Sequence, residues 1–183
     1  YYISVRIKNA AGEVLGTLIT DGIFIDTEDP VVSGISDGND ADIDWYGSLS
    51  TGRIIVNVAD NSGIGSYEYS IGTAPGDRDV MNWKLGQDSV GTFSVEGYQE
   101  DVVYYANARA TDRVGFVSET VSSDGFKMDY TLPSAGTVLV NNSFQSDTTS
   151  MTFNWSEFTD EHSGMDKYDV MIGLSEGADD IAP

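Results

Sequence analysis

The chain has no cysteine, a single histidine, four prolines and only 9 Lys plus Arg among its 183 residues. Without cysteine there is no disulfide framework, no Cys-ligated zinc, no iron–sulfur centre and no thiol nucleophile. A lone imidazole, His162, leaves a zinc site short of nitrogen and sulfur ligands. The few bases face 30 Asp plus Glu, giving a formal net charge of -21. A field of that sign repels phosphate, which argues against a nucleic-acid groove and against docking on an anionic membrane. No run of 18 apolar residues occurs, so no segment reads as a membrane-spanning helix.

Apolar residues make up 40 % of the chain, a fraction that supports a folded core despite the acidity. Their period is short. Ile3, Val5 and Ile7 alternate with Ser4, Arg6 and Lys8, the pattern of a half-buried strand. Similar stretches run from Arg53 to Val58, Ser66 to Ile71, Asp79 to Lys84, Gly91 to Val95, Val102 to Ala110, Phe116 to Ser122 and Phe126 to Tyr130. Val138 to Val140, Met151 to Trp155 and Lys167 to Ile172 follow. Gly, Asn, Asp and Ser clusters separate them, and no long stretch has helical periodicity. The reading is all-β with antiparallel sheets.

The chain also matches itself. Tyr1-Tyr2-Ile3-Ser4-Val5-Arg6 aligns with Tyr104-Tyr105-Ala106-Asn107-Ala108-Arg109, and the same offset pairs Gly12 with Gly115, Asp21-Gly22 with Asp124-Gly125, Asp26 with Asp129 and Pro30 with Pro133. A second set, offset by two fewer residues, pairs Ser62-Gly63 with Ser163-Gly164, Tyr67 with Tyr168, Ile71-Gly72 with Ile172-Gly173, Gly76 with Gly177 and Asp79 with Asp180. The repeating unit is about 100 residues, an ordinary size for a β-sandwich. Residues 31–133 are therefore expected to form one complete unit. Residues 1–30 read as the last strands of a preceding unit, and 134–183 as the first half of a following one. The chain opens inside an apparent strand, as expected of a segment from a longer polypeptide.

These blocks resemble a fibronectin type III-like or bacterial immunoglobulin-like tandem module of large secreted or cell-surface proteins. The matching residues are Ser62-Gly63-Ile64, Tyr67-Glu68-Tyr69-Ser70-Ile71-Gly72-Thr73, Pro75-Gly76, Asp79-Val80 and Trp83, then Tyr104-Tyr105, Arg109-Ala110, Gly115, Ser123-Asp124-Gly125, Asp129 and Pro133. Asn154-Trp155, Ser163-Gly164-Met165, Tyr168 and Ile172-Gly173 carry the pattern into the next copy. The first copy departs from it with Val58 where the second has Trp155. The resemblance implies immunoglobulin-like antiparallel β-sandwich repeats in an exported, multidomain bacterial protein, at the cell surface or outside the cell.

The chemistry-bearing residues are sparser. Asp37, Asp40, Asp42 and Asp44 alternate in a dense acidic stretch and are candidate calcium ligands, because hard cations take several carboxylate oxygens. The stretch lacks the Glu at position twelve of a helix-flanked calcium loop, so a solvated acidic loop is the competing reading. Asp26-Thr27-Glu28-Asp29-Pro30 lies at a unit boundary and offers either an inter-domain chelate or an acidic linker. Asp60-Asn61-Ser62-Gly63 and Asp160-Glu161-His162-Ser163-Gly164 read as capped turns. His162 has acidic neighbours, but residues adjacent in one loop do not make a catalytic triad. Trp45 and Trp83, with Tyr46 and Tyr98, offer either a stacking platform for sugar rings or core packing. Trp155 is expected in an inter-sheet core, and Arg109 in a surface ion pair. Asn141-Asn142-Ser143 and Asn154-Trp155-Ser156 match the N-glycosylation pattern.

No nucleophile–base pair, paired catalytic carboxylates or cofactor loop stands out, so no enzymatic activity is expected. The expected role is a spacer or presentation segment, with adhesion through loops. Its partners would be neighbouring repeats, a surface glycan or protein ligand, and secretion machinery, with no nucleic acid and no direct membrane insertion. The rival expectation is a carbohydrate-binding accessory region of a secreted polysaccharide-degrading enzyme.

Overall fold

The computed structural model describes residues 1–38, 42–47, 51–86, 88–140, 144, 146 and 149–181. It divides into two units, Tyr1–Met128 and Asp129–Pro183. Among the described residues the regular structure is strand, with no helix.

The first unit opens on an antiparallel hairpin of β1 (Ser4–Lys8) and β2 (Val14–Ile19). The turn between them is closed by Asn9, whose Oδ1 accepts from the amides of Ala11 and Glu13. The next strands are β3 (Val31–Ser36), the short β4 (Trp45–Tyr46), β5 (Thr51–Ala59), β6 (Ile64–Gly72), β7 (Met81–Gly86) and β8 (Val90–Ser94). β9 (Tyr105–Asp112), β10 (Val121–Ser122) and β11 (Lys127–Met128) complete the unit. They build a three-stranded sheet in the order β3-β5-β8 and a four-stranded sheet in the order β10-β9-β6-β7. Every pairing in these two sheets is antiparallel. β4 and β11 form a separate parallel pair.

One core lies between the two sheets. Along β5 alternate residues turn inward, so Ile54 and Val56 are buried while Arg53 and Ile55 are half-buried. From the other sheet come Ile71, Ala106 and Ala108, all fully buried. The small alanines of β9 leave room for large rings. Phe126 packs edge-on to Tyr46 at 5.1 Å between centroids and lies 5.3 Å from Phe93, while Tyr98 lies 4.6 Å from Tyr104. Each such ring taken from water contributes roughly 1.5–3 kcal/mol. Gly52 fits this packing because a Cβ there would lie 2.0 Å from the Phe93 ring.

A polar hub fixes the β6–β7 turn. Buried Asn107 on β9 donates through Nδ2 to the Asp77 carbonyl at 2.6 Å, and its Oδ1 accepts from the Gly76 amide at 2.8 Å and the Ser122 hydroxyl at 2.6 Å. This amide gives the part-buried backbone groups of the turn a partner.

The sequence repeat recurs as hydrogen bonds. The Thr20 amide donates to the Ile3 carbonyl at 2.9 Å, and the Ser123 amide donates to Ala106 at 2.8 Å. The Ile3 amide donates to Thr20 Oγ1, and the Ala106 amide to Ser123 Oγ, both at 3.1 Å. Val5 pairs with Leu18 as Ala108 pairs with Val121. In the second unit the Leu174 amide donates to Asp180 Oδ1 at 2.9 Å, as Thr73 does to Asp79. The Ile181 amide meets the Ile172 carbonyl at 3.0 Å, as Val80 meets Ile71 at 3.2 Å. Gly63 and Gly164 both hold positive φ, at 85° and 78°, in the matching turns.

The second unit has β12 (Thr137–Val140) paired antiparallel with β13 (Phe153–Ser156). Contrary to the alternation of the sequence, Lys167–Ile172 forms no named strand. Its counterpart β6 is a central strand held on both sides by β9 and β7, and no named strand flanks 167–172 among the described residues. Trp155 is likewise not enclosed: it is 42 % exposed and packs on Tyr168 at 5.4 Å between centroids. It lines an open groove of about 570 Å³ with Val138, Val140, Phe153 and Phe158.

Candidate functional site

The acidic stretch after β3 places two of its four candidates together. Asp37 is fully buried, and one carboxylate oxygen each of Asp37, Asp42 and Asp124 lie within 4.8 Å of one another. The Asp37 amide donates to Asp42 Oδ1 at 3.4 Å, and the Tyr46 hydroxyl donates to the Asp37 carbonyl. Neither oxygen of the Asp37 side chain accepts a hydrogen bond. Burial pushes its carboxyl up to about 6, against the lowering influence of the Ser123 hydroxyl, and the charges of Asp42 and Asp124 push the same way as burial. Burial also raises the Tyr46 phenol to about 12, so it stays a donor.

Asp44 is not part of this group. It is exposed, and its backbone carbonyl accepts from the Lys127 amide at 2.8 Å where β4 meets β11. Asp40 lies outside the described residues, as do Asn141, Asn142 and Ser143. Asp124 was missed because it stands 80 or more residues along the chain, in the turn after β10. Its sequence signal was the Ser123-Asp124-Gly125 block, legible as a repeat but not as a ligand.

A second group sits where the segment before β3 meets two turns. One oxygen each of Asp26, Asp60 and Asp112 lie within 4.8 Å of one another. Asp60 Oδ1 accepts from the Ser62 amide at 2.7 Å, the Ser62 hydroxyl at 2.8 Å and the Gly63 amide at 3.0 Å, closing the β5–β6 turn. Asp112 Oδ1 accepts from the amides of Val114, Gly115 and Phe116 at 2.6–2.9 Å, closing the turn after β9. Asp26 Oδ1 accepts from the Glu28 amide at 3.1 Å. The neighbouring Ser62 hydroxyl, then the Glu28 amide, hold the Asp26 carboxyl below its ordinary range. Of the boundary acids Asp26, Glu28 and Asp29, only Asp26 enters the cluster.

Part of this arrangement appears again in the second unit. Asp160 Oδ1 accepts from the amides of His162 and Gly164 at 3.2 and 2.8 Å, reproducing the Asp60 turn. Asp129 Oδ2 accepts from the Ser163 amide at 3.0 Å. Burial opposes its ionisation, but the Ser163 hydroxyl and amide outweigh that, and the carboxyl sits below its ordinary range. His162 thus stands in a structural turn.

Trp45 and Trp83 belong to different pairings, β4–β11 and β6–β7, and each carries a cation over its ring. Arg109 lies 4.5 Å from the Trp83 centroid and Lys127 lies 5.3 Å from that of Trp45. Arg109 is directly opposite Glu68 across β9 and β6, and its Nε donates to Glu68 Oε2 at 2.8 Å. Tyr46 and Tyr98 pack with the core instead of forming an open platform.

No family model, curated protein or solved structure matches the chain. The fold itself defines an all-β protein of several antiparallel sheets, of the β-sandwich kind, with two clusters of carboxylates among the described residues that could in principle coordinate a divalent cation.

Proposed function

We propose that the chain is a non-enzymatic spacer or presentation segment of tandem, fibronectin type III-like sandwich repeats in an exported bacterial surface protein. The observation that carries this reading is the recurrence of the same hydrogen bonds, residue for residue, in successive copies. A catalytic domain has no need to repeat its turn caps along the chain, whereas a load-bearing array does, because each module must close on its own and meet the next in a fixed way. The division of seven strands into sheets of three and four, within about 100 residues, supports the immunoglobulin-like form of sandwich.

Single-molecule extension tests this reading. A spacer module spanning 31–128 unfolds in one step, releasing roughly 3.3–3.6 Å of contour per residue. Gradual extension without a step, or turnover of ester, peptide or glycan substrates by the purified chain, overturns it.

A further inference from the structure

We propose that Asp26, Asp60 and Asp112 form a site for a large hard divalent cation, of which calcium is the probe, at the point where residues 20–30 join the sandwich. The argument begins with how the carboxylates are held. In all three, Oδ1 is committed to local amides, so each side chain is oriented by its own turn. The second oxygens of Asp26 and Asp112 are buried and accept no hydrogen bond. These side chains are only 9 % and 4 % exposed. A buried carboxylate oxygen with no protein donor calls for a proton, a bound water or a cation, and three carboxylates together favour the cation.

The Ser62 and Asn61 side chains lie beside the Asp26 carboxylate and favour its ionised form, yet neither donates to the buried second oxygen. Ser62 has one hydroxyl proton, and it lies on Asp60 Oδ1. Arg113 packs its guanidinium over Gly63 but makes no ion pair with any of the three. The ligand set is oxygen alone, which selects hard cations over zinc or copper. Carboxylate oxygens that all lie within 4.8 Å of one another can share one ion at the roughly 2.4 Å bond length of calcium, whose adaptable shell of 6–8 oxygens suits ligands fixed by their own turns better than the strict octahedron of magnesium. The three residues come from the segment before β3, the β5–β6 turn and the turn after β9. A cation there ties the incoming chain to two turns at one end of the sandwich. Binding does not depend on the spacer reading, and failure of either leaves the other standing.

Titration calorimetry of the full chain with calcium tests the site. The expected result is a binding event weakened at least tenfold in Asp26→Asn and in Asp112→Asn, and retained in Asp37→Asn. Asn keeps the Oδ1 acceptor of each turn while removing the charge. Near-UV circular dichroism verifies folding, and Asp26→Asn, outside every strand, decides the matter if Asp112→Asn unfolds. Calcium should also slow thermolysin cleavage at exposed Ile23, Phe24 and Ile25 in the parent chain and not in Asp26→Asn. No binding at millimolar calcium, unchanged affinity in both variants, or equal affinity for magnesium overturns the proposal.

Discussion

Asp37 shows how a single residue couples charge to stability. Its folded-state carboxyl titrates near 6, above the ordinary 3.8, chiefly because it is buried. Below 3.8 it is neutral in both folded and unfolded chains. Between 3.8 and 6 the folded chain keeps a proton that the unfolded chain releases, so stability falls as pH rises through that window, by at most about 1.4 kcal/mol per pH unit. Asp26, Asp79 and Asp129 are shifted the other way, and their losses lie at more acid pH. Thermal melts in chelator should therefore give a higher Tm at pH 5 than at pH 7.5. Asp37→Asn should flatten the difference. An unchanged slope in the variant would assign the effect elsewhere.

Asn107 illustrates a different dependence, on hydrogen-bond partners instead of charge. Replacing it by Leu leaves the Gly76 amide and the Asp77 carbonyl without their side-chain partner. Unsatisfied buried groups cost about 1–3 kcal/mol each. Urea unfolding should show a loss of at least about 2 kcal/mol in Asn107→Leu with little change in m. A loss below 0.5 kcal/mol would mean the turn holds without the hub. Trp83→Ala tests a weaker contact, since a cation–π pair between half-buried partners contributes about 0.5–2 kcal/mol. If its Arg109-covered ring serves packing alone, polysaccharide retention on an affinity gel is the same for parent and variant.

At the scale of elements, the strands with strict alternation were legible: β1, β5, β6, β8 and β9 each lie within or close to a stretch of period two. β2 and β3 were not. Each is interrupted by glycine, Gly16 and Gly34, and a register shift falls beside each in its ladder, so the hydrophobic pattern slips midway. Lys167–Ile172 failed in the opposite sense, because alternation describes a strand's faces while its backbone requires neighbours. The candidate sites followed the same rule. Asp37 and Asp42 share one loop and could be read from spacing. Asp124 and Asp112 join their clusters only when distant turns are brought to the same end of the sandwich.

At the scale of the whole molecule, the two ends of the repeat pattern carry complementary residues in sequence. β1 occupies the repeat position of β9, and 167–172 that of β6. In the first unit β9 pairs with β6 so that Ala106 faces Ile71, Ala108 faces Tyr69 and Arg109 faces Glu68. Carrying that register over sets Ile3 opposite Ile172, Val5 opposite Val170 and Arg6 opposite Asp169, preserving both the apolar pairs and the ion pair. β1 is exposed along its whole length, and Val170 and Met171 are 40 % and 60 % exposed. The open edge of β1, whose other edge pairs with β2, and the exposed 167–172 segment would meet head-to-tail between two copies if they associate in this register. The net charge of -21 opposes that encounter at low ionic strength. Sedimentation equilibrium should therefore show concentration-dependent association that strengthens with added salt. Arg6→Asp should weaken it several-fold, and Asp169→Arg in the same chain should restore it. A chain that stays monomeric at every concentration and salt would show that these faces do not pair in this register.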